Sequence, residues 1–242
     1  MSAMPFADRR AAGRALAARL AEARWDDPVV LALPRGGVPV AVEVAQTLGS
    51  PLDLLLVRKI GAPYQPEFAI AAVVDGKPPR LLLNPALGGL AARYRDHLDD
   101  ARRHAEQEIA RRRRRYLGER EPVPVEGRTA ILVDDGLATG TTMRAAVAAM
   151  RARGAARVVV AVPVAPPDAI ATFEQLADDV VCLETPQAFT AVGAHYADFH
   201  QVGDDEVVAL LDRTGATTPG HPGATAARAP RAIASSKLRD RS

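Results

Sequence analysis

The segment Ile131-Leu132-Val133-Asp134-Asp135-Gly136-Leu137-Ala138-Thr139-Gly140-Thr141-Thr142 decides how this chain is read. A short apolar run ends in two adjacent carboxylates. Small and hydroxyl residues follow, and then a helical pattern begins. The run does not alternate polar with apolar, which predicts a strand buried on both faces. The backbone N–H groups of Ala138 to Thr142 then fall at a helix N-terminus. Unpaired donors and the positive end of the helix dipole suit an anion there. The hydroxyls of Thr139, Thr141 and Thr142 add donors, and Gly140 leaves room for a phosphate against the backbone. The two acids would repel a bare phosphate but attract ligand hydroxyls or a divalent cation. The pattern therefore describes a ligand with a phosphate at one end and vicinal hydroxyls, or a metal, close by. A sugar phosphate fits.

Rival phosphate motifs fail by letter. A Walker A loop needs a Lys before its final Ser or Thr. A dinucleotide fingerprint needs three spaced glycines after the first strand, which Pro34-Arg35-Gly36-Gly37-Val38-Pro39 does not supply.

Outward from this segment, strands and helices alternate. Helical spacing covers residues 6–24, with Leu16, Leu20 and Ala23 on one face. Buried strands are predicted at Val29–Leu33, Leu52–Val57, Thr129–Val133, Arg157–Val162 and Val180–Leu183. Helices are predicted at 38–48, from the Thr-rich loop to Arg153, at 168–176 and at 204–211. Phe68–Val74 and Arg80–Leu83 pair as two strands around the turn Asp75-Gly76-Lys77-Pro78. Residues 86–117 read as helical, with Leu98, Ala101, Ala105, Ile109 and Tyr116 in register. This order predicts an α/β fold with a parallel sheet flanked by helices. Ligands in such folds bind beyond the carboxyl ends of the strands. The turns after residues 33, 57 and 133 should therefore be read together.

Composition narrows the function classes. The 242 residues are 48% hydrophobic and 25% charged, ordinary for a globular domain. Cys182 is the one cysteine, read as a core residue, so a disulfide framework or a Cys-based zinc site is excluded. Aromatic residues make up 4%, too few for a base-stacking surface. The net charge of +2 does not call for a polyanion, so nucleic acid is not expected as a partner. No apolar run approaches the ~20 residues that span a bilayer. Charges interrupt the first 25 residues, which read as a surface helix and not a targeting segment, so a cytoplasmic location is expected. His97 and His104 lack metal-ligand spacing. Residues 213–242 are rich in Thr, Ala, Pro, Gly, Arg and Ser and read as a disordered tail.

The twelve-residue string resembles the phosphoribosyl diphosphate (PRPP) signature of the type I phosphoribosyltransferases: apolar residues, two acids, three variable residues, then Thr-Gly and a further Thr. The resemblance extends over about residues 29–185. It implies a phosphoribosyltransferase domain over residues 1–212, with a largely helical insertion at about 84–120 and a small C-terminal cap. It implies that Asp134 and Asp135 hold the ribose hydroxyls and that Ala138, Thr139, Gly140, Thr141 and Thr142 hold the 5′-phosphate. Arg35, Gly36 and Gly37 would form the pyrophosphate loop, which in such proteins often contains an unusual peptide bond. Arg58 and Lys59 would face the pyrophosphate, Lys59 standing out in a chain with three lysines. Mg²⁺ would arrive on PRPP, near Asp134 and Asp135, with no site made by the protein alone. The reaction implied is displacement of pyrophosphate at the anomeric carbon by a nitrogen acceptor, by default a nucleobase. Arg35 and Lys59 would stabilise charge, and Glu67 is the nearest candidate acid or base. Homodimers are common among such proteins.

Where the hypoxanthine-guanine branch has a catalytic Asp, this chain has Ala138. The alternative is a non-catalytic PRPP-sensing regulator that binds RNA through Arg111 to Arg115. A solvated helix face is the simpler reading of that run. The segment Ala191–Phe199 reads equally as part of a cap over the acceptor pocket or as plain aromatic packing.

Overall fold

The computed structural model describes residues 5–84 and 94–213, apart from the side chains of Pro66, Glu67 and Asp96. The expected tail, from residue 214 on, and residues 85–93 of the expected insertion lie outside the described residues.

The chain order is α1 (Arg9–Leu20), β1 (Pro28–Ala32), α2 (Gly37–Leu48), β2 (Leu52–Leu54), β3 (Val57–Ala62), β4 (Gln65–Val74) and β5 (Arg80–Leu83). It continues with α3 (Arg95–Leu117), β6 (Thr129–Val133), α4 (Thr141–Ala152), β7 (Arg157–Val164), α5 (Pro167–Leu176), β8 (Asp179–Glu184) and α6 (Asp204–Arg213). One sheet has the order β2-β1-β6-β7-β8, and its neighbours are parallel throughout. The expected parallel sheet flanked by helices is thus present. Its strand order reverses between β1 and β6, and that switch point is where a doubly wound sheet opens a crevice.

Strand alternation divides the core into two layers. Val30, Ala32, Ile131 and Val133 pack on the side of α1, α2 and α6. Val29, Leu31, Leu33, Ala130 and Leu132 pack against Met143, Val147 and Met150 of α4 and Phe173 of α5. Burial on both faces explains why these strands read as unbroken apolar runs. Helix α1 starts at Arg9 because Asp8 caps it, its Oδ1 accepting the Ala11 N–H at 2.6 Å. Gly13 lets α1 close on α2, since a Cβ there would stand 2.9 Å from the Val40 carbonyl oxygen.

One predicted strand is two. The run Leu52–Val57 breaks after Leu54: β2 stays with β1, and Val57 opens β3 in a separate antiparallel sheet, β3-β4-β5. Leu55 and Leu56 are buried at the crossing between the sheets, so hydrophobicity gives no sign of the break. The expected β4–β5 pair is present, but β4 begins earlier and pairs with β3 over residues expected to form a turn and loop. This second sheet lies between α3 and α4.

The five arginines of α3 are not one solvated face. Arg111 and Arg112 pair with Glu108, whose carboxyl they hold down at about 2, and Arg115 pairs with Asp204 and Asp205. Arg113 points inward between Asp53 and Asp75, and all three are nearly buried. Cys182, expected in the core, is half-buried on β8, and burial pushes its thiol up to about 11.

Candidate functional site

Two loops meet at the switch point. The first, Pro34-Arg35-Gly36, leaves β1 and enters α2 at Gly37, and its Pro34–Arg35 peptide is cis. The second leaves β6 through Asp134 and Asp135 and enters α4 at Thr141. They pack so closely that a side chain on either glycine would force a neighbour to move. A Cβ on Gly36 would lie 2.1 Å from Asp135 Oδ2, and one on Gly37 would lie 2.7 Å from the Val133 carbonyl oxygen. Gly36 and Gly37 therefore bring the Arg35 turn directly against the acid pair.

The pair is electrostatically asymmetric. Asp134 Oδ1 accepts the Asp135 N–H at 2.9 Å. Burial pushes both carboxyls above the usual carboxylate range, Asp134 further, because the Asp135 charge adds to the effect. At Asp135 the Arg9 guanidinium opposes the rise, with Nε 2.7 Å from Oδ2. Tyr196 donates its hydroxyl to the Asp135 carbonyl oxygen at 2.5 Å and fixes the main chain there.

Helix α4 begins with no side-chain cap, so its first N–H groups face the loop Ala138–Gly140. Gly140 has φ +66°, and a Cβ there would also strike Phe173 at 2.6 Å. Its glycine is thus accounted for by backbone conformation and packing, beyond any room for a phosphate. The Thr139 and Thr141 hydroxyls lie 3.3 Å apart at the helix mouth.

The segment after β8 closes the other side. Tyr196 is buried, and Phe199 lies under the Arg9 guanidinium, 3.8 Å from Cζ to the ring centroid. A cleft of about 410 Å³ opens between these residues and the first loop, lined among others by Arg35, Asp135, Phe199, His200 and Gln201. Arg35 reaches Asp204 at the start of α6 at a long 3.5 Å, while Tyr116 donates to the same carboxylate oxygen at 2.6 Å. A second cavity, about 400 Å³ beside Trp25, Arg157 and Cys182, is lined by neither loop.

Arg58 and Lys59 are not in a turn after β2; they lie in β3 and are exposed. Lys59 pairs with Ala72 and Arg58 with Val73. Ala72 packs on the α4 layer and Val73 on the opposite one. Only Lys59 is therefore on the face turned toward α4. Glu67 is in β4, and its side chain lies outside the described residues. His97 contacts the Gly61 carbonyl oxygen at 2.9 Å, and His104 that of Asp100 in its own helix. Among the described residues, no three acids, histidines or cysteines cluster as a metal site. No described helix is long and apolar enough to cross a membrane.

Arg9 and Asp204 were not singled out by sequence reasoning, and Tyr196 was read only as part of a segment that caps or packs. Each acts across more than 60 residues of chain. Arg9 looks like any arginine of an amphipathic helix, and only the aromatic cluster at 196–199 hinted at a cap.

A family model described as phosphoribosyl transferase domain matches residues 7–198. The chain belongs to the phosphoribosyltransferase family. Two Mycobacterium tuberculosis proteins whose names assign them to the phosphoribosyl transferases, MT0597 (strain CDC 1551 / Oshkosh) and Rv0571c (strain ATCC 25618 / H37Rv), are each 50% identical over 214 residues. The match covers 86% of this chain and 46% of theirs, so the chain spans about half the length of the curated relatives it matches. The crystal structure of TT1426 from Thermus thermophilus is similar at a TM-score of 0.75 and 47% identity, over 86% of this chain and 98% of that one.

Proposed function

We propose that this phosphoribosyltransferase domain binds PRPP at the β1/β6 switch point and transfers its phosphoribosyl group to a nitrogen acceptor, releasing pyrophosphate. The observation that carries this reading is the packing of Gly36 and Gly37 against Asp135 and Asp134. It supports a site in which a cationic turn, an acid pair and the uncapped N-terminus of α4 serve one ligand. Residues 138–142 would take the 5′-phosphate through backbone N–H groups and threonine hydroxyls. Asp134 and Asp135 would accept hydrogen bonds from the ribose hydroxyls. Arg35, with the N–H groups of Gly36 and Gly37, would hold the pyrophosphate. Lys59, on the face turned toward α4, would add positive charge; Arg58, on the opposite face, falls to a minor role.

The acceptor would enter by the cleft beside Phe199, with a nucleobase as the default. Bond breaking at the anomeric carbon develops positive charge on the ribose and negative charge on the leaving group. Arg35 and Lys59 would stabilise the latter, and positioning would supply much of the remaining rate enhancement. Two carboxylates, one of them already paired, suit a Mg²⁺ that keeps its waters and arrives on PRPP. That ion would neutralise the departing pyrophosphate. Residues 1–212 are taken as one functional unit acting in the cytoplasm. The RNA-binding alternative loses its main support, because four of its five arginines are engaged in ion pairs within the fold.

The test is calorimetric titration of PRPP with Mg²⁺ into the wild type and the Asp134→Asn/Asp135→Asn variant. Saturable binding abolished by the double substitution supports the site. No binding to folded wild type overturns it. Pyrophosphate release with an acceptor then separates an enzyme from a PRPP sensor.

A further inference from the structure

Asp135 cannot be understood from its own loop. Its Oδ2 is taken by Arg9, from the first helix, and its carbonyl oxygen by Tyr196, from the C-terminal segment. Arg9 is itself over-determined. Nε donates to Asp135 at 2.7 Å, Nη1 donates to the His200 carbonyl oxygen at 2.8 Å, and the guanidinium lies 3.8 Å above the Phe199 ring. Its side chain is only 8% exposed and that of Asp135 14%. A planar fork serves two acceptors and a ring face at once in one fixed geometry, which a compact ammonium on a flexible stem does not impose. An arginine buried to this extent is rare unless its partner requires it.

We propose that Arg9 is a positioning residue of the ribose-phosphate site: by holding Oδ2 it fixes the Asp135 carboxylate and aims its other oxygen, Oδ1, at the ligand's vicinal hydroxyls. This rests on the PRPP reading above and adds a residue from outside the signature. Without Arg9, a largely buried carboxylate next to a second one would lose its counter-ion. It would turn toward water and stop acting as a fixed acceptor. The phosphate end of the ligand is held by other groups and would be unaffected.

The experiment compares binding of ribose 5-phosphate with that of 2-deoxyribose 5-phosphate, which lacks one of the two hydroxyls. Wild type should favour the ribose compound by about tenfold, the worth of one charge-assisted hydrogen bond. In Arg9→Gln the preference should collapse to within about twofold, with 2-deoxyribose 5-phosphate binding nearly unchanged. Arg9→Lys keeps the charge without the fork and should retain only part of the preference; it carries the test if Arg9→Gln does not fold. If wild type binds neither compound or does not discriminate, the PRPP reading fails. If wild type discriminates and the variants do so equally, Arg9 has no positioning role. Equal weakening of both compounds in a folded variant would make Arg9 merely structural and also overturn the proposal.

Discussion

Asp53 and Arg113, sixty residues apart, form a buried ion pair, both carboxylate oxygens lying 3.3 Å from one guanidinium nitrogen. Asp53 belongs to β2 of the parallel sheet and Arg113 to α3, which covers the second sheet. The Val123 N–H also donates to Asp53, at 2.9 Å, and Asp75 takes the other arm of the guanidinium at 2.5 Å. This cluster joins the two sheets where the apolar core is interrupted between Leu54 and Val57.

Removing one partner should leave an uncompensated buried charge. Arg113→Ala is expected to lower stability by about 3 kcal/mol, in the range for broken buried pairs. Arg111→Ala, two residues away and exposed, should leave the unfolding midpoint unchanged. Denaturant titration of the two variants checks the contrast. Equal midpoints would mean that Arg113 is as dispensable as its neighbour.

The acid pair should reduce the stability of the domain at neutral pH. The folded-state pKa of Asp134 is raised by burial and by the Asp135 charge. The folded protein therefore binds protons more readily than the unfolded chain, and stability falls as pH rises from the ordinary Asp range toward the raised value. Asp134→Asn should increase Tm at pH 7 by about 2–4 °C for each kcal/mol relieved. At a pH near 3, where both states are protonated, the gain should vanish. Calorimetric scans at the two pH values decide this. A stabilised variant that has lost PRPP binding would show stability given up for function.

The two glycines of the first loop should fail differently. At Gly36 the obstacle is the Asp135 carboxylate, a side chain that can rotate away by giving up Arg9. Gly36→Ala should fold and lose PRPP affinity by about tenfold or more, as expected for a lost charge-assisted contact. At Gly37 the obstacles are the Val133 carbonyl oxygen and the Asp134 Cα, which are backbone. Gly37→Ala should lower stability by about 1–3 kcal/mol, as overpacking does. Thermal melts with parallel titrations separate the two outcomes.

Lys59 and Arg58 should separate by strand alternation. Lys59→Ala is expected to weaken PRPP binding or slow pyrophosphate release by about tenfold, roughly 1.4 kcal/mol. Arg58→Ala should change either by less than about twofold. Kinetics or titration of both variants is sufficient, and a larger effect at Arg58 would reverse the assignment of faces.

Local pattern carried the sequence reading where local chemistry was enough. Strands β1, β6 and β7 are apolar because both faces are covered, and the loop after β6 has a distinctive order of acids, glycines and threonines. The break in Leu52–Val57 was invisible because Leu55 and Leu56 are buried whether the chain goes straight or crosses to another sheet. The burial of Arg113 was invisible because its neighbours Arg111, Arg112 and Arg115 do pair at the surface. The contacts of Arg9 and Tyr196 with Asp135 were not legible because Asp135 is 126 and 61 residues away. Long-range polar contacts leave no periodic trace in one sequence.

Two strips far apart in the described chain are laced together beside the proposed site. The Phe6 N–H donates to the His195 carbonyl oxygen at 2.9 Å, and the Ala197 N–H donates back to Phe6 at 2.7 Å. During translation the strip around Phe6 emerges first and its partner among the last parts of the domain. Domains fold from the N-terminus as they are synthesised, yet here Arg9 has neither its aromatic platform nor the His200 carbonyl until residues 199 and 200 have left the ribosome. A nascent chain halted before that point would hold the loops after β1 and β6 without the wall that packs beside them. On the PRPP reading, ligand would then stabilise the domain only near the end of its synthesis.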